Sequence, residues 1–274
     1  MPELPEVETV VRTLEYLIGG CRITKIDIVY PPIVHGDNDA FCSDLINKRF
    51  TGFSRRGKYA LYTLEDIVLM VHLRMEGRFF VVDEGTPIAK HTHAVFHLDN
   101  GKELHYHDVR KFGRLETVKP AEIDIRLRSL GLEPFDQKLT GHYLKEMAGS
   151  RNIGVKTFLL DQRFVAGIGN IYADEICFSA RLHPESSVRK ISLKRFNDIA
   201  DCIKMIMSQA IADGGTTIRT YTSSLGVSGR FQLSLNVHMR KGEACRVCGQ
   251  KIIKTRVSGR GTYLCQRCQK RIED

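Results

Sequence analysis

The stretch CRVCGQKIIKTRVSGRGTYLCQRC, residues 245–268, decides how the end of this chain folds. It holds two Cys-x-x-Cys pairs, Cys245 with Cys248 and Cys265 with Cys268, separated by sixteen residues. Two thiols with two residues between them can face one ion from a single tight knuckle. Two such knuckles complete a tetrahedral sulfur cage, the geometry zinc takes. Four thiolates leave no open position for water or substrate, so the single Zn2+ has a structural task. Between the knuckles, Lys251–Val257 and Thr262–Leu264 read as two short strands. The Ser258-Gly-Arg-Gly261 tip then projects Arg260 from a metal-stiffened ribbon, which suits a guanidinium gripping a phosphate. A solvated tip arginine is the plainer reading. Cys21, Cys42, Cys177 and Cys202 follow no spacing rule and read as small buried apolar residues of a reducing compartment.

Most of the charge lies in the same region. The 274-residue chain has a formal net charge of +9, and residues 240–274 hold ten basic against three acidic residues. Such a segment suits an anionic polymer, nucleic acid being the commonest in a cytosol, and equally a tail kept soluble by charge. Hydrophobic residues at 42% and charged residues at 27% are ordinary for a globular protein, which excludes collagen-like and disordered classes. The longest uncharged apolar run, Ile67 to Val71, falls far short of the roughly 20 residues a bilayer span needs. Glu3, Glu6 and Glu8 give the start the wrong sign for a secretory or transit peptide. A cytoplasmic protein with more than one domain and no membrane partner is expected.

Upstream, Val7, Val10, Val11, Leu14, Leu17 and Ile18 recur at helical spacing, and Gly19-Gly20 supplies the stop. From Arg22 to about residue 118 the pattern becomes short β runs, which suggests an antiparallel sandwich or barrel. Asp99-Asn-Gly-Lys102 reads as a two-residue hairpin turn about Asn100-Gly101. That register puts His93 and His97 on one face and His105 and His107 on the other, so these histidines are not expected to share an ion. Leu130-Gly-Leu-Glu-Pro134 reads as a linker, and beyond it Phe196, Ile199, Ile203, Met207 and Ala210 trace one face of a long helix. Three units are expected, a β-rich N-terminal domain, a helical domain and a zinc ribbon.

Two further stretches carry chemistry. In FLLDQRFVAGIGNIYADEI, residues 158–176, a turn with Gly167 and Gly169 precedes a helix starting near Asn170. Glycines there let helix N-terminal amides approach a phosphate, with the Asn side chain as a further donor. A capped helical hairpin in the core is the alternative. The start, MPELPEVE, allows loss of the initiator methionine, leaving Pro2 with a free secondary amine. An α-amine of pKa about 8 is partly neutral near pH 7, and its adduct with an aldehyde is a cationic iminium, an electron sink. Glu3 and Glu6 lie within reach as acid or base. Proline and early acids are also good capping chemistry for a helix.

Seven stretches in order resemble the bacterial formamidopyrimidine-DNA glycosylase family over essentially the whole chain. They are PELPEVET (2–9), RRGKY (55–59), HLRMEG (72–77), DVRKFG (108–113), LLDQ-x-x-VAGIGNIYADE (159–175), GGTTIRTY (214–221) and GRGT-x-x-C-x-x-C (259–268). The resemblance implies an α+β multidomain fold. Its parts are an N-terminal β-sandwich with an N-terminal helix (1–130), a linker with a helix-two-turns-helix domain (131–239), and a four-cysteine β-ribbon zinc finger (240–274). It implies a monomeric base-excision repair enzyme, both glycosylase and lyase, whose partner is damaged double-stranded DNA. It would flip out and excise oxidised purines, 8-oxoguanine and formamidopyrimidines, then cut the strand by β,δ-elimination. By position, Pro2 would be the Schiff-base nucleophile, Glu3 the general acid, and Glu6 an aid to proton transfer. Lys58, His72, Asn170 and Arg260 would grip flanking phosphates, with Lys58 counted among the catalytic group. Met75, Arg110 and Phe112 would fill the vacated stack, Arg110 facing the orphaned cytosine, and the loop from about Thr216 to Gly229 would cover the damaged base. Leu132 stands where the family's linker more often has proline, and Arg230 where a smaller residue is common. The alternatives are a non-catalytic zinc-ribbon DNA-binding protein, which has no need of Pro2 and Glu3, and the sibling branch acting on oxidised pyrimidines, which typically opens PEGPE.

Overall fold

A computed structural model describes residues 1–216 and 230–272. The chain divides into two compact units, one of residues 1–128 with 214–230, the other of residues 129–213 with 231–274.

The first unit opens with α1 (Leu4–Ile18), whose buried face is Val7, Val10, Val11, Leu14 and Ile18. Gly19 ends the helix, and Gly20 at φ +80° turns the chain into β1 (Ile23–Ile28). Then come α2 (Asn38–Leu45), capped by the Asp37 side chain, and β2 (Phe50–Arg56), β3 (Tyr59–Leu64) and β4 (Ile67–His72). β5 (Arg78–Asp83), β6 (Thr92–Leu98), β7 (Lys102–His107) and β8 (Arg114–Val118) follow, and the four-residue α3 (Ile123–Arg126) closes the segment. Two four-stranded antiparallel sheets result, in the orders β1-β6-β7-β5 and β2-β3-β4-β8. Ile26, Phe79, Phe96, Leu104 and Tyr106 from one sheet share a core with Phe50, Tyr62, Leu69, Val71 and Leu115 from the other, and α1 contributes to the same core. The architecture is a β-sandwich.

The β6–β7 register corrects the two-residue turn. Val95 pairs with His105 and His97 with Glu103, so Leu98 and Lys102 flank a three-residue loop in which Gly101 takes φ +75°. A type I turn closed by a left-handed glycine uses the same Asp-Asn-Gly residues as the shorter turn, and the local chemistry does not separate the two. The one-residue slip moves side chains to the other face. His97, Glu103 and His105 therefore lie together, with His97 Nε2 2.8 Å from Asp27 and His105 Nε2 2.7 Å from Glu103.

The second unit holds α4 (Gly141–Ala148), α5 (Val155–Leu160), α6 (Asn170–Ser179) and α7 (Leu193–Ala212), then the hairpin β9 (Ile253–Val257) and β10 (Arg260–Leu264). Helix α7 buries Phe196, Ile199, Ile203, Met207 and Ala210 at the expected spacing. The stretch read as a linker is pinned within this unit: Gly131 N–H donates to Gln162 O, and Leu132 bridges to Val165. No helix among the described residues is long and apolar enough to cross a membrane.

Candidate active site and nucleic-acid interface

Helix α1 starts as a capping box. Glu3 is the extended N-cap and accepts the Glu6 N–H, while Glu6 Oε2 accepts the Glu3 N–H at 2.9 Å. These carboxylates are 2% and 4% exposed, and Pro2 beside them is buried. Glu6 Oε1 accepts the backbone N–H of Thr216 at 2.7 Å and its hydroxyl at 2.9 Å. Gly215 permits that approach: its φ is +77°, and a Cβ there would lie 2.8 Å from Glu6 Oε1. Lys58, also buried, occupies the two-residue turn between β2 and β3, where Gly57 supplies the positive φ.

Burial lowers the pKa of the Met1 amino group below its ordinary 8.0; Glu3 and Glu6 oppose that shift, and Lys58 reinforces it. While Met1 is attached the Pro2 nitrogen is an amide and no nucleophile. Its removal places a secondary amine one residue further in, beside two buried carboxylates. A neutral amine next to a carboxyl that can give or take a proton is what addition to a sugar carbon requires.

Met75, Arg110 and Phe112 converge on a recess of about 460 Å³ that Met1, Arg74, Lys111 and Arg114 also line. Met75 and Phe112 are 37% and 50% exposed and lie at one recess instead of being scattered singly. The Arg110 guanidinium lies 4.8 Å from the centre of the Phe112 ring. Fully buried Asp108 shapes the loop: Oδ1 accepts the Arg110 N–H, and Oδ2 those of Phe112 and Gly113, all within 3.0 Å. Gly77 and Gly113, which bound the two protruding loops, both abut the Tyr106 hydroxyl so closely that neither has room for a Cβ.

His72 ends β4 with its ring edge-on to Tyr59 at 4.6 Å. Burial above all, then the charges of Arg74 and Lys58, push its pKa down to about 3. Its Nδ1 accepts the Arg74 N–H at 3.0 Å, so Nε2 carries the proton and the neutral ring presents a donor.

In the second unit Gly169 is the N-cap of α6 and Asn170 its first helical residue, one position past the expected cap. Asn170 Nδ2 donates to Gly261 O at 3.0 Å, next to the hairpin tip. There Ser258 and Gly259, at φ +47° and +76°, form a two-residue turn and Arg260 is the exposed first residue of β10. The four Sγ atoms of Cys245, Cys248, Cys265 and Cys268 lie within 4.8 Å of one another. Cys245 and Cys268 are 3.9 Å apart, Cys248 and Cys265 3.4 Å. A tetrahedron with metal–sulfur bonds of about 2.3 Å has edges near that length, so the donor set fits one zinc. The covering loop expected from Thr216 to Gly229 lies, beyond Thr216, outside the described residues; an antiparallel bridge between Thr216 and Arg230 joins its ends.

The structure thus gathers Pro2, Glu3, Glu6 and Lys58, brings His72 within the field of Lys58, collects Met75, Arg110 and Phe112, and sets Asn170 beside the Arg260 tip. Sequence reasoning missed Asp108, Tyr106 and the Glu6–Thr216 tie. Only the Asp-x-Arg spacing of 108–110 is a local signal for any of them.

Residues 1–115 match the formamidopyrimidine-DNA glycosylase N-terminal domain, residues 130–222 the formamidopyrimidine-DNA glycosylase H2TH domain, and residues 242–271 the zinc finger found in FPG and IleRS. A formamidopyrimidine-DNA glycosylase of Bacillus licheniformis is 44% identical over 275 residues, spanning 99% of this chain and 100% of that one. That of Listeria innocua is 42% identical and spans 98% and 100%. Among solved structures, Lactococcus lactis Fpg bound to DNA containing an abasic site has 38% identity and a TM-score of 0.94, covering 98% of this chain and 100% of that one. The same protein with N7-benzyl-Fapy-dG DNA has 37% identity, a TM-score of 0.93 and the same coverage.

Proposed function

The chain belongs to the formamidopyrimidine-DNA glycosylase family, and from that premise we propose that it excises oxidised purines from duplex DNA and cuts the strand there. A base inside a duplex is out of reach, so the damaged nucleotide must be flipped out at a cost of a few kcal/mol. Met75 and Phe112 enter the vacated stack and Arg110 faces the orphaned base, which offsets part of that cost. Lys58 and His72 in the first unit, and Asn170 and Arg260 in the second, hold phosphates flanking the lesion. Such contacts fix position without reading sequence.

After removal of Met1, the Pro2 nitrogen bonds to C1′ as the bond from C1′ to the base breaks; Glu3 then gives a proton to O4′, and the C1′–O4′ bond opens as the nitrogen lone pair forms the iminium. The iminium so formed acidifies the C2′ proton; its loss expels the 3′ phosphate, and a second elimination expels the 5′ phosphate. Glu6 holds the Glu3 N–H and Thr216, and so keeps the helix start and the root of the 217–229 segment in one place. Zinc, bound by the four cysteines, stiffens the ribbon that carries Arg260. Residues 1–130 supply the chemistry, while 131–239 and 240–274 hold the backbone. The setting proposed is the bacterial cytoplasm, at the nucleoid, with a monomer at work.

The observation that carries this reading is the buried start of the chain, where Pro2 lies beside the two buried carboxylates of Glu3 and Glu6. Borohydride trapping with an 8-oxoguanine or abasic-site duplex tests it. A covalent adduct is expected with wild type and none with Pro2→Gly. No adduct in the processed wild type would leave a DNA-binding protein without this chemistry.

A further inference from the structure

Lys156 in α5 and Asp174 in α6 are both 0% exposed. Nζ of Lys156 lies 2.7 Å from Asp174 Oδ1, an ion contact off the hydrogen-bond line. It also donates to Thr262 Oγ1 at 2.8 Å and to Gly261 O at 3.1 Å. Asp174 Oδ2 in turn meets His238 Nδ1 at 2.7 Å and accepts the Tyr263 N–H at 3.2 Å, and the His238 ring packs 4.9 Å from that of Tyr263. From the hairpin, Thr262 Oγ1 donates onward to Arg260 O at 3.0 Å. Gly261 O accepts a second donor, Asn170 Nδ2. One ammonium thus touches both residues that follow Arg260, and one carbonyl joins it to Asn170.

A buried ion pair is poor support for stability, since an apolar pair of similar size is often as stable or more so. The partners of this one point to another task. We propose that Asp174, steadied by His238, is a positioning residue for the DNA grip: it aims Lys156 at Gly261 and Thr262, and so fixes the direction in which Arg260 and Asn170 present themselves to phosphate. The zinc knuckles hold the base of the ribbon, whereas this strut holds its working end. The inference rests on Arg260 and Asn170 being phosphate ligands.

The test uses full-length protein and a duplex with an abasic site. Thr262→Val removes the strut's anchor without changing size, and the pair Lys156→Met with Asp174→Leu replaces it by packed apolar groups. Both are expected to keep one zinc and to stay folded at the assay temperature despite the buried groups they leave unpaired, yet to bind about tenfold more weakly. The slope of log K against log salt should shrink by about 0.9, one phosphate contact. Adding Arg260→Ala to either should weaken binding no further, a non-additivity that marks a shared contact. Thr262→Ser should restore the slope. A wild-type slope in either zinc-loaded variant, an additive loss with Arg260→Ala, or a binding loss found only where zinc or the folded state at the assay temperature is also lost would each overturn the proposal. Borohydride trapping by wild type is scored separately: its failure sinks the repair reading, whereas normal trapping beside unchanged slopes sinks the strut alone.

Discussion

The Glu6 carboxylate holds Thr216, 210 residues downstream, by both its backbone N–H and its hydroxyl. The same side chain caps the first helix through Glu3, so one buried anion ties the start of the chain to the root of the 217–229 segment. Its oxygens accept from the Glu3 N–H, the Thr216 N–H and the Thr216 hydroxyl together.

Glu6→Gln should therefore disturb more than a proton transfer. The amide turns one accepting oxygen into a donor and leaves an N–H or hydroxyl facing it, at about 1–3 kcal/mol. A lower thermal midpoint and slower trapping are expected together. Wild-type melting with slowed trapping would assign Glu6 to proton transfer alone.

Burial of the chain's start has a direct kinetic sign. It already holds the Met1 amine below its ordinary pKa, and the Pro2 amine exposed by removal of Met1 lies in the same buried surroundings, which favour the neutral form. Trapping rates measured against pH should rise and level off at a lower midpoint than the pKa of an N-terminal proline in a short peptide. A midpoint at or above the peptide's contradicts the burial argument, and any N-terminal extension should abolish trapping.

His72 titrates in the unfolded chain near 6.5 but in the folded one only at about 3. Between those values the unfolded state binds a proton that the folded state does not, so stability falls as pH drops through that window. The contribution is at most about 1.4 kcal/mol per pH unit. Ring resonances of His72 in the free protein should not move between pH 8 and 5, and His72→Gln should flatten part of the acid limb of the stability curve. A His72 midpoint near 6 would refute the assignment.

Gly113→Ala drives a Cβ into the Tyr106 hydroxyl. The loop carrying Arg110 and Phe112 must shift, at about 1–3 kcal/mol. Affinity for an abasic-site duplex should fall more than affinity for undamaged duplex, as read by parallel titrations. An unchanged ratio would mean that the glycine contact does not place the wedge.

Zinc removal should act through the ribbon. Besides its cysteines, the cluster there contains little more than Phe178, Val237 and Ile252, too few apolar groups to order the segment without a metal. A chelator should release one equivalent of zinc and reduce the salt slope of DNA binding as Arg260→Ala does. Zinc release with an unaltered slope would separate the finger from the grip.

What the sequence made legible follows from the range of the forces involved. The four cysteines, the apolar stripe of α1 and the short β runs from β1 to β7 announce themselves within a few residues, because metal geometry and periodicity are local. The β6–β7 register was off by one because Asp99-Asn-Gly suits both a two-residue and a three-residue loop, and only cross-strand packing decides between them. Asp108 was hidden because its partners are backbone N–H groups. Lys156, Asp174 and His238 left no trace at all. Charged residues in helices ordinarily signal a solvated face; Lys156 and Asp174 pair across two helices, and their hydrogen-bond partners Thr262 and His238 lie 106 and 64 positions away.

With Gly77 and Gly113 both seated on the Tyr106 hydroxyl, the loops that carry Met75, Arg110 and Phe112 have little room to shift, and under the proposed function those side chains would stand in place before DNA arrives. The yielding is then left to the duplex, and supple pyrimidine–purine steps open more cheaply than stiff A-tracts. Lesions of identical chemistry would be repaired at rates graded by the mechanical softness of their neighbours.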